Sequence, residues 1–352
     1  MGWFLETVGM RKVTGGTMHS NVAMLRIMER SGMALEAFAL DRKCSIIYLK
    51  TFSTMKSSAT LFDASAPFGV ICHDSGGANQ IIALLQYMDQ VPAFVHMDGP
   101  AKNLWKQSFP GFTETRSDFS WLKHVSSVIT GTSWASHLEH EARVQAQLLG
   151  IHSIAVLDHW ANYQERFIRN GKEVLPDEIW VTDYYAKNIA RRLFLDTPIV
   201  LQPDCYGERE AALVTPLTEA TPQVLLYLME PIRTDWGRGE PGEFQALRFF
   251  LERLPFLGFP PNTEIHLRPH PSDAPGKYDA FLNNCEHFPM YRGVGSLSDG
   301  LSQCRWVAGC QTYAMTVALR VGRKVFGTLP PWAPSCVLPH KGIIHLRETT
   351  PA

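Results

Sequence analysis

The sequence has no Cys-x-x-Cys pair, no excess of either charge, and no run of about 18 apolar residues. Its seven cysteines (Cys44, Cys72, Cys205, Cys285, Cys304, Cys310 and Cys336) are odd in number and scattered. That pattern excludes a disulfide framework and offers no zinc-ligand spacing. Cys72 in FGVIC and Cys310 in WVAGC lie in apolar runs, where a reduced thiol packs as a small hydrophobe. A reducing cytoplasm is the expected compartment. No membrane-spanning helix is expected, which leaves peripheral membrane association open. The opening MGWFLETVGMRKV lacks the apolar core of a signal peptide, and Glu6 stands where N-myristoylation favours Ser or Thr. Lys and Arg number 33 against 34 Asp and Glu, so a broad nucleic-acid-binding face is excluded, though not a local basic cleft.

What is present is a large apolar fraction, 45% of 352 residues, enough for two or more compact domains. Three segments separate, at 1–60, 61–212 and 213–352. In the first, SNVAMLRIMERSGM reads as a helix capped by Ser20 or Asn21 and stopped by Gly32, followed by the strand SIIYLKTF. Residues 55–67 are small and polar and read as a linker. In the second, FGVIC, PAFVHM, SSVITGT, HSIAVL, EIWVTD and PIVLQP are short apolar strands set between helices. Residues 206–222 break the pattern and read as an interdomain connection. A second series follows, with strands VLLYLM, TEIHLRP, CRWVAGC, RKVFGTL and GIIHLRE. Such alternation implies parallel sheets covered on both faces, hence an α/β fold of two Rossmann-like domains. Ligands in such sheets sit beyond the carboxyl ends of the strands.

The candidate chemistry lies at those ends. After FGVIC comes His73-Asp74-Ser75-Gly76-Gly77-Ala78-Asn79, which is neither a dinucleotide fingerprint nor a P-loop. Its glycines let a ligand approach the backbone, and Asp74 is a candidate base; a plain glycine-rich turn capped by Asp74 is the alternative. Thr130, Thr132 and Ser133 precede a helix, where hydroxyls usually serve as caps. Glu139 and Glu141 are two apart and do not share a helix face, so at most one, Glu139, points to the cleft. Asp158, His159 and Asn162, with Trp160 and Tyr163, suit sugar recognition, the aromatic faces stacking and the polar groups taking hydroxyls. In the second series, Arg268, His270 and Ser272 fall in RPHPS, where a guanidinium and an imidazolium can bind phosphate oxygens. The flanking prolines hold His270 extended. Gln311 and Thr312 open a helix and suggest the other half of a phosphate clamp. Glu230, at another strand end, is a candidate for a ribose hydroxyl.

RPHPS followed by GCQTYA, set in two Rossmann units, resembles the GT-B glycosyltransferases, in particular bacterial sialyltransferase-like enzymes that use CMP-activated nonulosonic acids. The resemblance implies that His270-Pro271 and Thr312 hold the CMP phosphate and that an N-terminal carboxylate, nearest Asp74, serves as base on the acceptor. Ser75 stands where the family's second acid would be. It further implies a nucleotide-sugar donor, a glycan or protein hydroxyl as acceptor, and neither metal nor cofactor. Residues 11–43 separately resemble the C-terminal part of a GNAT acetyltransferase, with Asn21 near the acetyl-CoA arm and the pyrophosphate loop missing. No acetyl transfer is expected from this chain. Two rivals share the pattern: a nucleotide-sugar hydrolase or epimerase of the same fold, and a non-catalytic nucleotide- or carbohydrate-binding remnant.

Overall fold

The structure is a computed structural model. It describes residues 12–18, 45–51, 62–111, 118–133, 135–232, 234–270, 273–283 and 288–349. The chain divides into two compact units, Met1–Ala59 and Thr60–Ala352. In the first, β1 (Lys12–Met18) pairs antiparallel with β2 (Ser45–Thr51), Gly15 opposite Tyr48. The β2 run was legible as a strand; β1, with its glycines and threonines, was not. The helix expected at SNVAMLRIMERSGM lies outside the described residues, and so does the first part of the expected linker.

The second unit holds two six-stranded parallel sheets. The first contains β3 (Phe68–Cys72), β4 (Phe94–Met97), β5 (Ser127–Thr130), β6 (His152–Val156), β9 (Glu178–Val181) and β10 (Ile199–Leu201). A small antiparallel hairpin, β7 (Ile168–Arg169) and β8 (Lys172–Glu173), projects between β6 and β9. The second sheet contains β11 (Val224–Leu228), β12 (Glu264–Arg268), β13 (Met290–Arg292), β14 (Trp306–Gly309), β15 (Lys324–Gly327) and β16 (Ile343–His345). Every residue of β3, β5, β9 and β11 is buried, as strands covered on both faces require.

The spatial orders locate the sites. The first sheet runs β4-β3-β5-β6-β9-β10 and the second β13-β12-β11-β14-β15-β16. Each reverses direction once, between β3 and β5 in the first and between β11 and β14 in the second. At such a switch point successive connections lie on opposite faces, and a crevice opens beyond the carboxyl ends.

The helices are α1 (Ser75–Tyr87), α2 (Gly99–Ser108), α3 (Leu138–Leu149), α4 (Tyr184–Leu193), α5 (Cys205–Ala212), α6 (Gly242–Arg253), α7 (Asp279–Asn283), α8 (Leu297–Ser302) and α9 (Ala314–Arg320). The stretch 206–222, expected as a plain connection, begins with α5 instead. Asp204 caps it by accepting from the Gly207 N–H, and only Gly207 on it is buried, so its sequence carries no apolar stripe. Helix α2 was also missed, since Ala101 and Trp105 are its only buried residues. One core cluster joins the two sheets, with Ala155, Ile179 and Val181 from the first and Leu226, Leu228, Val307 and Val325 from the second. Met315 and Val317 of α9 and Ala186 and Ala190 of α4 fill the space between. Among the described residues, no helix is long and apolar enough to cross a membrane.

Candidate functional site

At the first switch point the chain leaves β3 through His73. Its backbone N–H donates to Glu139 Oε1 at 2.8 Å, and its ring Nδ1 lies 2.8 Å from Asp74 Oδ1. Asp74 occupies the N-cap position of α1, but its side chain makes no capping bond. It is committed to the imidazole instead. The other side of the ring faces Gly99. A Cβ there would lie 2.6 Å from His73 Nε2, and the φ of +49° already favours glycine.

Gly76 is required for a different reason. A Cβ on it would stand 1.7 Å from Asp158 Oδ2. The Asp158 carboxylate therefore lies against the first turn of α1, where a helix favours negative charge. Arg166 Nη1 donates to its other oxygen at 2.6 Å and to Thr132 Oγ1 at 2.9 Å, while Arg166 Nε reaches the Ala161 carbonyl. Burial, the largest single influence, pushes the Asp158 carboxyl up, but the Arg166 guanidinium, the neighbouring His159 charge and the hydrogen bonds together pull it down further, and the net direction is downward. Asp158 is thus an ionised structural anchor at this edge. Asn162 sits in the left-handed region, φ 56°, and its carbonyl accepts from the Arg166 N–H. Asn79 lies half-buried on α1. Thr130 and Thr132 do not cap a helix, as hydroxyls there were expected to. They donate to the Ile154 and Val156 carbonyls of β6.

Glu139 on α3 is fully buried, and Glu141 is exposed. Burial raises the Glu139 carboxyl to about 7 against the bond from the His73 N–H, its own backbone N–H and the Arg143 charge. Its Oε2 has no hydrogen-bond partner among the described residues. Glu139 thus holds the His73 backbone from behind.

At the second switch point, Glu230 follows β11 and Gln311 follows β14. The Gln311 N–H donates to Glu230 Oε2 at 3.0 Å. Burial pushes Glu230 up to about 7, with that N–H as the opposing influence. Gln311 is a hub. Its carbonyl accepts from His159 Nε2 at 3.1 Å and its Oε1 from the Val337 N–H at 3.3 Å. The His159–Gln311 bond ties the carboxyl end of β6 to that of β14, so the two sheets turn these edges toward each other. Tyr313 strengthens the junction. Its ring lies parallel to Trp160 at 6.0 Å, and its hydroxyl donates to Asp204 Oδ1 at 2.7 Å. Arg320 Nη2 meets Asp204 Oδ2 at 2.6 Å.

Thr312 is half-buried, and helix α9 begins two residues later with only seven residues. The anion-binding capacity expected of that helix start is small, and the Gln311 N–H is already answered by a carboxylate. Arg268 ends β12, and its Nη1 donates to the carbonyls of Gly295 and Ser296, at 2.6 and 3.1 Å. The guanidinium expected on phosphate thus pins the loop before α8. The His270 N–H donates to Asp273 Oδ2 at 2.8 Å. Asp273 in turn accepts from Lys277 Nζ at 2.7 Å and from the Tyr278 hydroxyl at 3.0 Å. Burial lowers the His270 imidazole, so it is neutral near pH 7 rather than the imidazolium first expected. Ser272 lies outside the described residues. His270 and Thr312 follow β12 and β14, the two neighbours of β11.

Arg166, Asp204 and Arg320 carry no local signal in the sequence, whereas Lys277 stands four residues beyond Asp273 and Tyr313 lies in the GCQTYA stretch without being singled out for a role.

No family model matches this sequence, and no curated protein does. Among solved structures, UDP-GlcNAc 2-epimerase from Methanocaldococcus jannaschii aligns at 11% identity over 74% of this chain and 83% of its own, with a TM-score of 0.48. MurG from Acinetobacter baumannii aligns at 12% over 75% and 79%, TM-score 0.41. The E. coli heptosyltransferase WaaC aligns at 11% over 79% and 92%, TM-score 0.36.

Proposed function

We propose that the chain is a GT-B-type nucleotide-sugar enzyme that transfers a sugar, a nonulosonic acid from a CMP donor, to a hydroxyl of a glycan or protein. The observation that carries the reading is the meeting of two carboxyl edges at the His159–Gln311 bond, with a paired His73–Asp74 on one side and His270 on the other. The donor's phosphate is assigned to the second edge and the acceptor to the first. The bond between the sugar's anomeric carbon and the phosphate oxygen breaks as the acceptor oxygen bonds to that carbon. The acceptor's proton passes to the Asp74 carboxylate, which the His73 ring orients. The electron pair leaves on the CMP phosphate, to which neutral His270 donates a hydrogen bond. A neutral imidazole stabilises the leaving oxygen as a donor rather than as a full charge.

The test is incubation with CMP- and UDP-sugars, with and without hydroxyl acceptors. Transfer that requires both a CMP-sugar and an acceptor supports the reading. Nucleotide release without acceptor makes the protein a hydrolase or epimerase, and binding without turnover makes it a binding module. His270→Ala is expected to lower turnover roughly 100- to 1,000-fold, the usual cost of losing one preorganised donor. Unchanged turnover in a folded His270→Ala protein overturns the role of His270.

A further inference from the structure

Helix α4 and the residues just after it, Tyr184–Leu195, carry an exposed face that the proposed chemistry does not use. The helix packs inward through Ala186 and Ala190. On the opposite side, at the spacing i, i+4, i+7 and i+8, lie Tyr184, Asn188, Arg191 and Arg192, which fall within about 100° of one another at 100° per residue, and Leu195 follows just beyond the helix end at Leu193. Tyr184 is 71% exposed and Leu195 83%, and Leu193 and Tyr185 are exposed beside them.

Within the helix the charge is of one sign: it holds three cations, Lys187, Arg191 and Arg192, and no carboxylate, while the exposed Asp196 follows Leu195 beyond its end. Asp183 is engaged elsewhere, accepting from the Ala186 N–H and from Trp160 Nε1. Among the described residues, no ion pair or side-chain hydrogen bond neutralises the three cations. Lys187 and Arg191 are four apart, a like-charge spacing that weakens a helix. Burial and the Arg191 charge both push the Lys187 ammonium down. The face extends into the second half of the unit, since Tyr185 packs on His340 at 5.2 Å and Lys341, the next residue, is exposed.

Unpaired cations set between exposed tyrosines and leucines, on a helix lying flat on the body, fit one partner best. We infer that this face docks on a lipid bilayer with anionic headgroups. The arginines and lysines meet the headgroups, and the tyrosine rings and leucines enter the interfacial layer. An RNA partner would leave Leu193 and Leu195 in water. A protein interface of standard size would need a broader contiguous apolar patch. The face belongs to both sheets' domains, so docking would set the edges bearing His73 and His270 at a fixed attitude to the membrane.

The experiment is co-sedimentation of the full chain with vesicles of phosphatidylcholine alone and of phosphatidylcholine mixed with phosphatidylglycerol. Binding is expected only to the mixed vesicles, weakening with added salt. Arg191→Gln with Arg192→Gln should weaken it by roughly fivefold for each cation removed. Tyr184→Ser with Leu195→Ser should weaken it without altering the salt dependence. These side chains are exposed, so the melting temperature should hold in both variants. Equal partition onto both vesicle types, or unchanged partition of the arginine variant, overturns the inference. So does a concentration-dependent dimer, seen without lipid, that the same replacements abolish.

Discussion

At the carboxyl edge of the first sheet the half-buried Asp158 is answered by Arg166 at 2.6 Å; at the edge of the second the half-buried Glu230 is answered by one backbone N–H at 3.0 Å. Both carboxylates sit beside the start of a helix or turn where an anion is favoured. Burial pushes both up; at Asp158 the Arg166 guanidinium, the neighbouring His159 and the hydrogen bonds together outweigh it and hold the carboxyl below its ordinary value, whereas a single N–H leaves Glu230 near 7. Glu139, behind His73, shifts the same way as Glu230: it is fully buried, and its N–H partners and the Arg143 charge do not offset that burial. The first edge therefore combines a fixed ionic anchor with a poised carboxyl, and the second has the poised carboxyl alone.

The strongest way to break this contrast is to remove the cation. Arg166→Met leaves the half-buried Asp158 charged without a partner, which costs about 3–5 kcal/mol for a fully buried charge and less for this one, whose side chain is 19% exposed. It also strips a bond from Thr132, whose hydroxyl links to β6. Glu230→Gln keeps an acceptor for the Gln311 N–H and removes no ion pair, so it should change stability at neutral pH by far less, or raise it. Urea unfolding of the two variants at pH 7 decides the matter. If both lose the same amount, the arginine is not what distinguishes the edges. Adding Asp158→Asn to Arg166→Met should recover part of the loss.

Titration sharpens the same contrast, with the two kinds of carboxyl pulling in opposite directions. For Asp158 the folded value lies below the unfolded 3.8, so its contribution is present above that pH and is lost as the pH falls through the folded value. For Glu230 and Glu139 the folded value, about 7, lies above the unfolded 4.5. Between about 4.5 and 7 the folded chain binds the extra protons, so stability falls as pH rises across that window and is flat above it. The full shift corresponds to roughly 3 kcal/mol for each group. Glu230→Gln and Glu139→Gln should each remove part of that slope in unfolding curves measured across the window. An unaltered slope in both variants would mean that neither carboxyl is raised by its burial.

The two edges also differ in how much of them was legible beforehand. Strands such as FGVIC and VLLYL read directly, because a strand covered on both faces needs an unbroken apolar run, and where they end marks the edge. From that, His73, Asp74, Asp158, Glu230, His270 and Gln311 could all be placed at strand ends. What each does there could not be read, because it depends on partners distant in the chain. His73 is held by Glu139 on another helix, and His159 meets Gln311 only when the two sheets come together. Tyr313 and Arg320 converge on Asp204 from 109 and 116 residues away. Spacing within a helix or strand carries no trace of such pairs. Helices α2 and α5 escaped for a local reason: with two and one buried residues they have no apolar stripe to betray them.

The smallest expected effect tests whether the edges are joined by the polar bond at their centre or by the apolar core around it. His159→Phe preserves the ring beside Trp160, now at 5.5 Å, and removes only the donor to the Gln311 carbonyl. One lost hydrogen bond is worth about 1 kcal/mol, and a carbonyl left dry somewhat more. Water can reach a half-buried carbonyl, which keeps the cost toward the lower end. Thermal unfolding should show a loss of that size. Amide exchange should quicken at Val337, which is tied to the same glutamine, more than at Tyr313, which Asp204 still holds. Equal protection at both in the variant would place the joint in the shared cluster of Leu226, Val307 and Met315 with Ile179, and would reduce His159 to a filler of space between the two edges.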